Sequence, residues 1–219
     1  VDILLKGTTE TAGADPGEDR LGIYVAPTEA FHGLTLPIPV VYDREEGLLL
    51  EAREFCAQAI RCEPHLLRLL WQPDSSFDVC TPLGQELRKI KSAFLSARNV
   101  AEAYTRTLRE EIEFIKTDIA DKEGLEATAD RLLQLGGEAL NLFRIGQILF
   151  APDDEGFVTN FRYNAVHKQM DRIESYVEYI ESQFDKDAFG TEGPLPEEPD
   201  TAMIEEWLRY VRNRYFMKP

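Results

Sequence analysis

The sequence predicts an α+β protein: a small N-terminal sheet with helices over residues 1–84, then a mostly helical domain over residues 85–219. Three observations predict it. Two short β-type runs, Val1–Leu5 and Leu21–Val25, open the chain with a polar, glycine-bearing stretch between them. From about residue 47 onward, apolar residues recur at spacings of three and four, the period of a buried helix face. An acidic, Pro/Gly-bearing stretch at 185–201 separates the last such stripe from the others and reads as a solvated linker. With 219 residues, 43% of them hydrophobic, the chain suits one large domain or a small α/β module followed by a helical one.

Taken in order, Val1–Lys6 and Leu21–Ala26 are expected to pair in one small sheet. Leu34–Val41 contains Pro37 and Pro39 and reads as an edge strand, because proline cannot donate to a ladder. Leu48, Ala52, Phe55, Cys56, Ala59 and Ile60 form one helical stripe. A helix through Cys62 should therefore pack on the sheet by Phe55, Ala59 and Ile60, while Leu48–Leu50 either starts that helix or ends a strand. Pro64 punctuates, and His65–Trp71 is a short second helix. Thr81-Pro82 reads as N-cap and first position of a helix to about Leu95.

Arg98–Lys116 repeats the helical stripe. Leu125–Leu149 is a long apolar helix in which Gly136 and Gly137 either pack against another backbone or divide it in two. Val166, Met170, Ile173, Val177, Ile180 and Phe184 alternate at four and three, over fewer than three heptads, which favours a bundle core over a coiled coil. Ile204, Trp207, Leu208, Val211 and Tyr215 mark a last helix.

Composition narrows the partners. Forty acidic residues against 24 basic ones give a formal charge of −16. Non-specific nucleic-acid binding depends on Lys and Arg neutralising phosphates, so long duplex DNA should bind weakly or not at all. A small nucleotide held by a few groups and a metal fits this charge, and so does a basic protein partner. No apolar run approaches the roughly 20 residues of a membrane helix, and the N-terminal run is too short for a signal segment, so no membrane partner is expected. Cys56, Cys62 and Cys80 are odd in number and lack metal-ligand spacing. They read as buried thiols of a reducing compartment, which predicts a cytoplasmic protein.

One region gathers residues able to carry chemistry. Lys6-Gly7-Thr8 closes the first strand, Asp15, Glu18 and Asp19 follow, and Gly22 lies in the next strand. Nucleotidyl transfer needs a small-residue turn where the backbone meets phosphates, and paired carboxylates to hold Mg²⁺. Carboxylates two apart on a strand share a face, which is why such sites use an acid-x-acid spacing. The plain alternative is an acidic solvated turn. No Walker loop, dinucleotide fingerprint, zincin motif or Cys-x-x-Cys occurs, and His32, His65 and His167 lie far apart.

The run Asp19-Arg20-Leu21-Gly22-Ile23-Tyr24-Val25-Ala26-Pro27 resembles the second half of the Asp-x-Asp-x-x-Gly motif of polymerase β superfamily nucleotidyltransferases, in the bacterial and phage group associated with RNA repair. Phe31–Leu34, Arg53-Glu54-Phe55, Glu63–Leu67, Thr81–Gly84, Ala93–Ser96, Asn141–Gly146 and Leu195–Asp200 continue the similarity over nearly the whole chain. The resemblance implies metal-dependent transfer of a nucleotide to RNA or another acceptor, with Mg²⁺ and a nucleoside triphosphate.

On that resemblance Asp19 is a metal ligand, Asp15 or Glu18 a substitute second ligand, and Glu46 the third acid. Gly7 and Thr8 stand for the Gly-Ser turn facing the phosphates, with Lys6 or Arg131 as charge partners. The plain readings are a solvated turn for Glu46 and surface bases for Lys6 and Arg131. Departures from the motif are several. Gly17 occupies the first acid's position, Ala127 and Gln134 stand where the family carries basic groups, and Asn141 replaces a glutamate. These losses point to weakened or lost catalysis. They leave two readings open: a transferase, or a pseudoenzyme kept as a binding or assembly module.

Overall fold

The computed structural model describes residues 2–8, 20–32, 34–43, 46–117, 120–150, 154–187 and 193–216. Five strands, β1 (Asp2–Thr8), β2 (Arg20–Val25), β3 (Val40–Asp43), β4 (Gly47–Glu51) and β5 (Phe77–Cys80), form one mixed sheet in the order β3-β4-β2-β1-β5. β2 and β4 run parallel, and the other neighbours are antiparallel. The helices are α1 (Ala52–Ala59), α2 (Pro64–Trp71), α3 (Pro82–Lys89), α4 (Ala97–Lys116), α5 (Lys122–Ile145), α6 (Glu155–Val166), α7 (Met170–Asp187) and α8 (Thr201–Phe216). The protein is therefore α+β, an N-terminal sheet followed mostly by helices. Among the described residues no helix is long and apolar enough to cross a membrane.

Strand alternation sorts the sheet into two faces. Leu5, Ile23 and Leu50 are in register and almost wholly buried, and α1 packs on β2 and β4. Lys6, Gly22 and Leu49 are in register on the opposite face, where Tyr24, Ala26 and Leu49 form a smaller cluster with Ile3, Phe31 and Val41. Phe55 and Ala59 are fully buried and Ile60 is half-buried.

α1 is shorter than its apolar stripe. Leu48–Leu50 belongs to β4, and the helix stops at Ala59, with Cys62 in the left-handed region at φ 58° and its thiol buried. α3 begins as its sequence predicts, with Thr81 Oγ1 accepting from the Gly84 amide at 3.2 Å, but ends at Lys89. Residues Lys91–Phe94 form a 3-10 turn instead, which buries Ala93 and Phe94 and sets the Phe94 ring edge-on to Phe55 at 6.3 Å. Only Val40–Asp43 of the segment around Leu34–Val41 pairs as a strand.

By its contacts the chain divides into two compact units, one holding the sheet, α1–α3 and α8, the other α4–α7. The division falls between Leu95 and Ser96 rather than at residue 84, and α8 returns to the sheet unit. Three bonds mark that return: Asp200 N–H to Ala93 O at 2.8 Å, Trp207 Nε1–H to Leu83 O at 3.3 Å, and Arg212 Nη2–H to Glu51 Oε1 at 2.7 Å. A boundary placed by local pattern cannot see a helix that comes back across more than 100 residues of chain.

In the other unit, α5 runs unbroken through Gly136 and Gly137 and stops at Gly146, whose left-handed φ of 67° ends the helix. A Cβ on Gly136 would lie 2.3 Å from Tyr176 Oη, so this glycine serves close packing against α7. The seam from Val166 to Phe184 is divided, because Val166 closes α6 and Met170 opens α7. Ile173, Val177, Ile180 and Phe184 remain one buried stripe, with Phe184 stacked on Phe143 at 4.6 Å.

Candidate functional site

Three strand ends meet at one end of the sheet. Thr8 of β1 is in register with Arg20 of β2, Gly7 with Leu21, and Leu21 in turn with Leu48 of β4. The turn into β4 fits only because Gly47 is glycine. Its φ is +80°, and a Cβ there would lie 2.3 Å from the Arg20 carbonyl oxygen. The Glu46 amide donates to Asp43 Oδ1 at 3.0 Å, fixing the turn and bringing the Glu46 side chain beside the start of β2.

Lys6 approaches the same point from β1. It is only 7% exposed, and its register partner is Gly22. A Cβ on Gly22 would lie 3.4 Å from Lys6 Cβ and 2.6 Å from Leu49 Cδ2, so the missing side chain makes room for both neighbours. The Lys6 stem crosses β2 there, and its ammonium forms a salt bridge with the Glu46 carboxylate. Lys6 is thus an internal cation of the sheet and Glu46 its counter-ion, rather than the surface base and solvated turn that composition suggested.

The other predicted site residues are placed less favourably for phosphate chemistry. A Cβ on Gly7 would lie 2.8 Å from the Ser76 carbonyl oxygen and 3.0 Å from Phe77 Cδ1. The openness of Gly7 therefore accommodates the chain's own backbone, and the group facing it is an acceptor, which repels phosphate oxygens. Thr8 is the half-buried last residue of β1. Arg131 lies on α5, in the other unit, where Nε bonds both Glu111 oxygens at 3.2 and 3.1 Å and Nη2 donates to Thr128 Oγ1 at 2.8 Å. Asp15, Glu18 and Asp19 lie outside the described residues.

A second charged pair was not legible in the sequence. Glu51, 3% exposed, accepts from the Arg53 amide at 2.9 Å at the start of α1 and takes Arg212 of α8 as its counter-ion. The Arg212 guanidinium also lies 4.1 Å from the Phe31 ring centroid. Burial raises the Cys56 thiol pKa above its ordinary value, the Glu51 charge adds to this, and Arg212 partly opposes it. Tyr24 is raised for the same reasons in the same order. Nothing in the local sequence around Glu51 points to a base 161 positions away.

Mg²⁺ demands several oxygen ligands in a near-octahedral set. No group of three or more His, Cys, Asp or Glu side chains able to hold a metal occurs among the described residues. The one described carboxylate of the expected set, Glu46, is already neutralised by Lys6. The described donors do not fit the ion. A separate cavity of about 760 Å³ lies between α3 and α8, walled by Leu83, Ile90, Trp207 and Tyr210, and includes none of the predicted site residues. Compared with known proteins, the chain matches no family model, no curated protein and no solved structure.

Proposed function

We propose that the chain is a nucleotidyltransferase-like protein that has lost metal-dependent transfer and serves as a binding or assembly module. The observation that carries this reading is the Lys6–Glu46 ion pair. An ammonium held against the third acid supplies the positive charge that a divalent cation would otherwise bring. A metal arriving there would have to displace a lysine whose side chain is 8% exposed, and leave that charge without a partner. Gly17 in place of the first acid and the Ser76 carbonyl opposite Gly7 support the same conclusion.

The second reading is transfer of a nucleotide to RNA or another acceptor. One observation favours it: the ends of β1, β2 and β4 bring Thr8, Arg20 and Glu46 to the same end of the sheet, and Asp19 is the residue before Arg20. Incubation of the full chain with Mg²⁺, each labelled nucleoside triphosphate and an RNA acceptor separates the two. The proposal expects neither labelled RNA nor released pyrophosphate. Label transfer that Asp19→Asn and Glu46→Gln both abolish would overturn it.

A further inference from the structure

We infer that β3 is a self-association edge, through which two copies of the chain pair antiparallel about a two-fold axis at Val41 to form one continuous sheet. β3 is the terminal strand of the sheet that the described residues form. Leu34, Leu36, Ile38, Val40 and Tyr42 alternate along it and the segment before it, and all five are exposed, at 108%, 62%, 66%, 41% and 64%. A row of large apolar side chains in water at period two is the informative exception to ordinary burial, and a free apolar strand edge is a template for another strand.

Backbone geometry decides which residues can pair across the edge. The Glu51 amide donates to the Pro39 carbonyl at 2.8 Å, so Pro39, Val41 and Asp43 direct their backbone groups toward β4. Val40 and Tyr42 therefore direct their N–H and C=O groups away from it. A two-fold at Val41 sets Val40 of one copy opposite Tyr42 of the other. These are the residues whose free groups can exchange bonds, giving about four backbone hydrogen bonds by the antiparallel rule. Pro39 then faces Asp43 of the second copy, a position where its missing N–H costs nothing. Val40 and Tyr42 share a face, so each meets the other across the junction as a β-branched and aromatic pair.

Charge and register select a second copy as the occupant. No Asp, Glu, Lys or Arg lies between Glu29 and Asp43, in a chain whose formal charge is −16. This is the stretch where two such chains can approach with least repulsion, and the register sets Asp43 opposite proline rather than opposite its own equivalent. Of the five exposed side chains, Val40 and Tyr42 of each copy lie within the paired stretch. The inference does not depend on whether the chain transfers nucleotides.

Sedimentation velocity of the full chain up to roughly 100 μM tests it, a range in which micromolar association leaves mostly dimer. The expected result is a concentration-dependent dimer, weakened at least about tenfold by Val40→Lys with Tyr42→Lys, the charge that natural edges use against pairing. Circular dichroism confirms that the variant is folded. Register is read separately: under mild oxidation Val41→Cys should cross-link to its equivalent far more than Tyr42→Cys or the parent. A parent that stays monomeric, a dimer unaffected by the lysines in a folded variant, or a Tyr42→Cys cross-link as efficient as that of Val41→Cys would each overturn the proposal.

Discussion

At the scale of single residues, burial decides which groups are reactive. Cys56 and Cys62 are buried and Cys80 is partly exposed. The Cys56 thiol is held well above its ordinary pKa, so it stays protonated where an exposed thiol ionises. Iodoacetamide near pH 8 should label Cys80 first in the folded chain and all three thiols after denaturation, as mass spectrometry would show. The sign for stability follows: a thiol raised in the folded state favours folding below the ordinary thiol pKa, and this contribution is lost as pH rises above it. Gly47→Ala should cost more than about 1–3 kcal/mol in thermal or urea unfolding, because it adds a 2.3 Å clash to a left-handed backbone. Lys6, Gly7 and Thr8 stand out in the sequence beside the acidic stretch that follows them, and Glu46 joins them only through the family resemblance. That Lys6 and Glu46 neutralise each other is not legible there, because the pairing depends on the β1–β2–β4 register and on Gly22 leaving room.

Elements show the same division. The helical stripes and the first two strands are legible because each repeats one period over enough residues. β5 is not, because four residues, Phe77-Asp78-Val79-Cys80, carry too little pattern, and the expected ends of α1 and α3 overrun because their apolar spacing continues into non-helical turns. Gly136 and Gly137 look alike in the sequence and should behave oppositely. A Cβ on Gly137 would meet nothing within 4 Å, so Gly137→Ala should stabilise by roughly 0.5–1 kcal/mol through helix propensity. Gly136→Ala would press on Tyr176, whose ring is held by Phe161 at 5.1 Å, and should destabilise. Unfolding curves of the two variants check the signs. Arg212→Ala should cost about 3–5 kcal/mol, since it leaves Glu51 buried without its counter-ion. Adding Glu51→Gln should return part of that loss, and a double-mutant cycle measures how much.

At the scale of the whole molecule, sequence and structure agree on an N-terminal sheet followed mostly by helices. The formal charge of −16 makes the chain a poor host for phosphates unless cations are held locally. At the sheet end Lys6 is one such cation, and Glu46 is its counter-ion. The most direct test is calorimetric titration of Mg²⁺ into the full chain, with and without each nucleoside triphosphate, repeated on Glu46→Gln. The account predicts no Mg²⁺ binding at the sheet end, and therefore no difference between the parent and Glu46→Gln. Magnesium-dependent nucleotide binding by the parent that Glu46→Gln abolishes would contradict it.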